Sequence, residues 1–256
     1  MSLELANKLS KYRIHAACVQ ETRWKGQKAK VIKGYKLWYV GLDGRHNVVG
    51  ILVSNNILKQ LVEVRRCNDR IMLVRILVGE EIISIVSAYG PQVGLDEQVK
   101  YKFWGNLGEL MRTIPEDEKV FLGGDFNRHI GRDAGNYNSI HEGFDLGARN
   151  ENGENLLEFV LAKELVIANS IFRKKEEHLI TYKSGGDATQ VDYFLVRKGD
   201  RPSCLDCKVV LGTKMPTHHR LLVLGKDHVG ETQRGYGHPV KQDKFIGLLK
   251  SVRGCE

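Results

Sequence analysis

The sequence predicts an α/β domain built on mixed β-sheets flanked by a few helices, not a regular alternation of strand and helix. Three observations predict it. β-branched apolar runs recur along the chain at strand length. Segments with helical spacing of apolar residues are fewer than those runs. Several runs are separated only by short turns such as Gly79-Glu80, which leave no room for the crossover helix that parallel neighbours need.

In chain order, strands are expected at residues 14–19, 48–53, 71–78, 82–86, 120–122, 191–196, 209–211 and 221–224, each an apolar, β-branched run. Residues 96–114 predict a helix, with Asp96 as its N-cap and Val99, Phe103, Leu107 and Leu110 at helical spacing. Residues 153–165 repeat the pattern with Leu156, Leu157, Val160 and Leu161. Neither a repeat nor a low-complexity tract interrupts the chain, so residues 1–225 read as one domain. After Gly225 the sequence turns polar and glycine-rich, and residues 226–256 are expected to be a loosely attached basic tail with a short helix near 244–252.

A chain of 256 residues with 42% hydrophobic content can bury a sizeable core. No apolar run approaches the ~20 residues of a membrane-spanning helix, and the start carries Glu4 where a signal peptide would be basic. A nuclear or cytoplasmic protein that is not secreted and has no membrane partner is expected. The five cysteines, odd in number and scattered, read as reduced thiols. A net charge of +8 suits a polyanion, either nucleic acid or an acidic membrane surface, and charge alone does not choose between them. Residues 226–256 hold six basic and four acidic side chains, so most of the excess lies in the main body.

Chemistry concentrates where strands should end. Gln20-Glu21-Thr22 and Gly123-Gly124-Asp125-Phe126-Asn127 each follow an apolar run and place a carboxylate at its end, the place where open α/β sheets bind ligands. Gln190-Val191-Asp192-Tyr193-Phe194 adds an acid, Thr217-His218-His219-Arg220 adds imidazoles, and Tyr89 closes another run as a phenol able to donate to a phosphate. Each has a bland reading: turn-capping Asp125 and Asn127, a solvated Glu21, a turn-packing Tyr89, a strand-edge Asp192, a surface His219. Together they suggest metal-assisted cleavage of a phosphodiester, with Asp192 fixing the His219 tautomer if the two meet. The glycine pair before Asp125 is expected to let backbone approach a ligand closely. Cys204 and Cys207, with His218 and His219 downstream, could form a zinc half-site, but no second correctly spaced pair follows. Lys25, Lys28, Lys30 and Lys33, beside Trp24 and Tyr35, could line a DNA groove or form a solvated basic loop.

These motifs, in this order, resemble the endonuclease/exonuclease/phosphatase superfamily that includes DNase I-like and apurinic-site nucleases. Residues 18–26, Ser87-Ala88-Tyr89 and Thr181-Tyr182-Lys183-Ser184-Gly185-Gly186 are most similar to endonuclease domains of RTE-type non-LTR retrotransposons. The resemblance spans roughly residues 3–225. It implies a four-layer sandwich of two packed mixed sheets with helices outside. It also implies DNA as partner, a monomer, and Mg²⁺, with Mn²⁺ as alternative, held by Glu21. Asp125 would activate the attacking water, Asn127 hold the phosphate, Tyr89 contact the phosphate or leaving group, and His219, braced by Asp192, stabilise developing charge.

Two departures stand out. The superfamily opens with a strand carrying a metal-site asparagine, whereas this chain begins at what resembles the following helix, residues 3–11, with Asn7 inside it. That loss is expected to leave neighbouring strands with unpaired edges. The usual Ser-Asp-His reads Thr217-His218-His219, so His218 stands where an acid could bind metal and is a poor ligand for Mg²⁺. A catalytically impaired remnant that binds nucleic acid or a chromatin partner is therefore the alternative to an active endonuclease. A phosphatase acting on inositol phosphates or lipids is a second rival whose substrate loops are not evident. No Asp-Asp pair occurs, so the reverse transcriptase signature is absent.

Overall fold

The computed structural model describes residues 2–21, 24–41, 48–212, 218–226 and 246–250. Helix α1 is Ser2–Lys11, followed by β1 (Ala16–Gln20), β2 (Gly26–Ile32), β3 (Tyr35–Gly41) and β4 (Val49–Ser54). Then come β5 (Leu61–Asn68), β6 (Ile71–Val78), β7 (Glu81–Tyr89), helix α2 (Glu97–Thr113) and β8 (Lys119–Asp125). Helix α3 (Glu151–Ala162) precedes β9 (Leu165–Ile167), β10 (Tyr182–Ser184), β11 (Asp187–Thr189) and β12 (Asp192–Arg197). Strands β13 (Cys204–Val209), β14 (Leu222–Lys226) and β15 (Ile246–Lys250) complete the described chain.

Two large sheets result, one in the order β13-β14-β15-β1-β4-β3-β2 and one in the order β5-β6-β7-β8-β12-β9, and β10-β11 form a separate two-stranded hairpin. Both are mixed, because β1 pairs with β15 and β7 with β8 in parallel while the remaining neighbours run antiparallel. The alternation of strand side chains sorts the residues into layers. Ala16 and Cys18 of β1, with Val49, Ile51 and Val53 of β4, face the second sheet and belong to the main core. Their neighbours Ala17, Val19 and Leu52 face outward and are covered by Leu5, Ala6 and Leu9 of α1. Helices α2 and α3 join the main core through Phe103, Leu107, Leu156, Leu157 and Val160, with the Trp104 ring 5.0 Å from Phe159. The expected sandwich of two mixed sheets with helices outside is thus the observed architecture.

The local signals for α2 hold: the Asp96 side chain accepts from the Gln98 N–H, while Val99 turns to solvent and Lys100 is buried in its stead. Helix α3 begins earlier than the expected 153–165, because the Asn150 side chain caps it by accepting from Gly153 N–H.

No strand precedes α1 among the described residues, yet β1 has no open edge. It pairs with β4 on one side and with β15 on the other, in register from Ala16↔Ile246 to Gln20↔Lys250. Part of the segment expected as a loose tail thus enters the middle of the sheet, and residues 246–250 form a strand instead of the expected short helix. The reason is tertiary: two neighbouring ladders, on β1 and β14, supply partners that local propensity cannot see. Residues 227–245 and 251–256 lie outside the described residues.

Candidate active site

Three strands bring their chemistry to one level. Tyr89, the last residue of β7, is in register with Asp125, the last of β8, and Asp125 is in register with Asp192, the first of β12. Residues directly across neighbouring strands project to the same face, so these side chains form a row. Asp125 and Asp192 are buried, at 0% and 2% exposure, and His219 is 5% exposed. His219 reaches the row through a bridge to Tyr182 on the β10–β11 hairpin, and its Nδ1 lies 2.8 Å from Asp192 Oδ2. One ligand atom each from Asp125, Asp192 and His219 lie within 4.8 Å of one another.

Glu21 enters from the other sheet. It directly follows β1 with φ 52°, a left-handed conformation that costs an L-residue about 1–2 kcal/mol. Its Oε1 accepts a hydrogen bond from the Tyr89 hydroxyl, which links the acid of one sheet to the row on the other. Behind it, Gln20 Nε2 donates to Ser87 Oγ at 3.1 Å and ties the two sheets together at the same end. Asn127, also left-handed at φ 53°, is tied to Asp125: its N–H donates to Asp125 Oδ1 at 2.9 Å. Its Nδ2 donates to Gly90 O at 2.9 Å.

The glycines of the Asp125 motif do something other than expected. A Cβ on Gly124 would lie 2.4 Å from Ala88 O, and one on Gly123 would lie 2.7 Å from the Phe194 ring. They permit close packing of β8 against β7 and β12, not the approach of backbone to a ligand.

His218 does not join the site. At the isolated bridge to Tyr182 His219 is buried while His218 is exposed, with its ring 6.0 Å from Tyr182 and outside the metal-capable group. The zinc reading of the cysteines also fails among the described residues. Cys207 is buried with Sγ 3.7 Å from Asn169 Oδ1, burial pushes its thiol well above the usual range, and Asp206 pairs with Lys174 and Lys208. Thr217 lies outside the described residues.

The chemistry of the donors suits a hard divalent cation. Asp125 and Asp192 offer carboxylate oxygens, and Asp192 Oδ1 is buried without a hydrogen-bond partner among the described residues, while Glu21, the expected metal ligand, is linked to the row through Tyr89 and lies outside the metal-capable group. His219 Nδ1 faces Asp192, so an ion would meet this ring at Nε2. Beside the row opens a cleft of about 480 Å³, lined by Gln92, Asn127, His129, Tyr182, Asp187 and His219 among others. Burial holds the His129 imidazole below its ordinary range, which favours the neutral ring.

No family model matches the sequence. Over 208 residues the chain is 27% identical to craniofacial development protein 2 of Bos taurus and 26% identical to that of Tragulus javanicus. The matches cover 80% of this chain, which spans about a third of the length of these relatives (35% and 36%). Among solved structures, the endonuclease domain of TRAS1, a telomere-specific non-LTR retrotransposon, matches with TM-score 0.63 at 16% identity, over 90% of this chain and 93% of that one. An AP endonuclease from Archaeoglobus fulgidus matches with TM-score 0.64 at 18% identity, over 88% and 93%. The chain has the DNase I-like fold.

Within that fold, several supporting residues escape sequence reading. Thr181 Oγ1 accepts from the backbone N–H of Val191 and Asp192, at 3.0 and 3.2 Å, and fixes the start of β12. Asn169 Nδ2 donates to Asp192 O while its Oδ1 accepts from Phe194 N–H, both at 2.9 Å. Arg70 donates to the carbonyls of Tyr89 and Gly90, and its guanidinium lies 5.3 Å from the Tyr89 ring centroid. Thr181 had a signal, since it opens one of the retrotransposon-like motifs. Asn169 and Arg70 had none, because their roles arise only from strand neighbours distant in sequence.

Proposed function

We propose that this chain is a divalent-metal-dependent endonuclease domain that hydrolyses DNA phosphodiester bonds with Mg²⁺, or alternatively Mn²⁺. The observation that carries the reading is the row Tyr89, Asp125, Asp192 at one sheet end, with His219 held against it and Glu21 tied to it through Tyr89. The ion, when bound, polarises the phosphoryl oxygen and favours departure of the 3′ oxygen. Asp125 orients the attacking water and takes its proton. Asn127, fixed by Asp125 and Gly90, presents its second amide hydrogen to the phosphate. His219 faces the developing charge with Nε2 while Asp192 holds its tautomer. Tyr89 positions Glu21 and contacts the phosphate or the leaving group. The likeness to nucleases and the net charge of +8 support DNA as the substrate. A monomer acting in the nucleus or cytoplasm completes the proposal.

The second reading is an impaired remnant that binds nucleic acid or a chromatin partner. It draws on exposed His218 standing where an acid is usual, and on residues 246–250, beside β1, containing no asparagine. Incubation of supercoiled plasmid with purified protein and Mg²⁺, beside Asp125→Ala, separates the two. Metal-dependent nicking that the substitution abolishes is the expected result. Folded protein that leaves the plasmid intact would favour the remnant, and equal nicking by both proteins would mark a contaminant.

A further inference from the structure

We propose that β2 and its flanks form a strip that holds the DNA backbone on the Glu21 side of the site; the strip rests on the DNA reading above but not on catalysis. Residues 24–36 contain Lys25, Lys28, Lys30, Lys33 and Lys36 and no acid, against a net +8 for the whole chain. Strand β2 ends the seven-stranded sheet, and its residues 27–31 are all exposed. Among the described residues none of the five lysines has a carboxylate partner; Lys36 instead lies over the Trp38 ring, 5.1 Å from its centroid.

Register gives the strip a direction and a face. Gly26 pairs with Gly41 and Ile32 with Tyr35, so β2 runs antiparallel to β1 and leads away from the end where Glu21 stands. Lys28 and Lys30 are in register with Tyr39 and Leu37, which places both on the outer face, about 7 Å apart. Partly exposed Trp24, its ring 5.2 Å from Tyr39, stands at the site end of that face. A cationic track with an aromatic at one end is the combination that nucleic-acid backbones and bases recognise. The strand extends about 20 Å, roughly six base pairs of duplex.

Lysines on an edge strand have a plainer use, which is to repel strand pairing between molecules. Charge reversal separates the two, because Lys28→Glu/Lys30→Glu keeps the edge guarded while opposing phosphate. The test is fluorescence anisotropy of a labelled duplex in EDTA, where no cutting occurs, over a salt series. The Lys28→Ala/Lys30→Ala protein is expected to lower the slope of log K against log salt by about 2, and the reversal to weaken binding at low salt by about tenfold or more. Thermal midpoint and monomer size should remain those of wild type. Unchanged affinity and slope, or wild-type protein that ignores the duplex and binds anionic phospholipid vesicles, would overturn the proposal. Plasmid nicking keeps the two proposals apart. Lysine-dependent binding without nicking leaves the strip and removes the enzyme, while nicking with unchanged KM in the reversal variant does the opposite.

Discussion

Replacing Asp145 by asparagine should stabilise the protein at alkaline pH and leave it nearly unchanged in acid. The Asp145 carboxyl is 2% exposed, and burial pushes its pKa from 3.8 up to about 8 despite bonds from the Leu146 N–H at 2.6 Å and the Tyr193 hydroxyl at 3.3 Å. Below the unfolded value of 3.8 both states hold the proton and stability is complete. Between 3.8 and about 8 the folded state holds more protons than the unfolded one, so stability falls as pH rises, and it levels off above 8. That displacement from 3.8 to about 8 corresponds to an upper bound of about 6 kcal/mol at 1.36 kcal/mol per pKa unit. That rivals the whole stability of a typical domain, so water entry and relaxation must reduce it to about 2–4 kcal/mol. Asparagine fits the neutral geometry: Oδ1 still accepts from Leu146, and Nδ2 can donate to the Tyr193 oxygen, freeing that hydroxyl for Gln190 O at 2.9 Å. Urea unfolding of wild type and Asp145→Asn at about pH 5, 7 and 8.5 measures the difference. Curves that stay parallel with pH, or a wild type that gains on the variant as pH rises, would refute a neutral buried Asp145.

Other outcomes can be stated briefly. Asp192→Asn should lower nicking by about 10²–10³-fold through misorientation of His219, with a changed pH–rate profile and little change in unfolding midpoint. Gly124→Ala should cost about 3 kcal/mol or prevent soluble expression, since its methyl would meet the Ala88 carbonyl, and denaturant unfolding reads the loss.

Sequence reading reached several strands with buried side chains on both faces, such as β1, β4 and β8, because continuous apolar runs announce them. It passed over β2, an edge strand whose exposed Gln-Lys-Ala-Lys-Val carries no apolar pattern, and β5, with charged and apolar residues mixed along one half-buried strand; it also passed over buried β3 and the three-residue β9, and its strand at 209–211 meets β13 only at Val209. It missed the β10–β11 hairpin because its strands have three residues each. Candidate acids at strand ends were legible because motif and strand boundary coincide in Glu21 and Asp125. What the motifs could not reveal is the register that aligns Tyr89, Asp125 and Asp192, which three separated strands must agree on. Nor could they reveal that His219 would be buried at its bridge to Tyr182 while His218 is exposed.

The position of β15 has a bearing on when this molecule becomes itself. Its ladder to β1 joins Ala16 to Ile246, so one sheet is sealed by contacts roughly 230 residues apart along the polypeptide. A ribosome must release residue 250 before Gln20, the residue just ahead of Glu21, finds its neighbour Lys250. Until β15 docks, β1 presents an unpaired row of backbone amides and carbonyls on that side, the kind of edge on which other strands can pair.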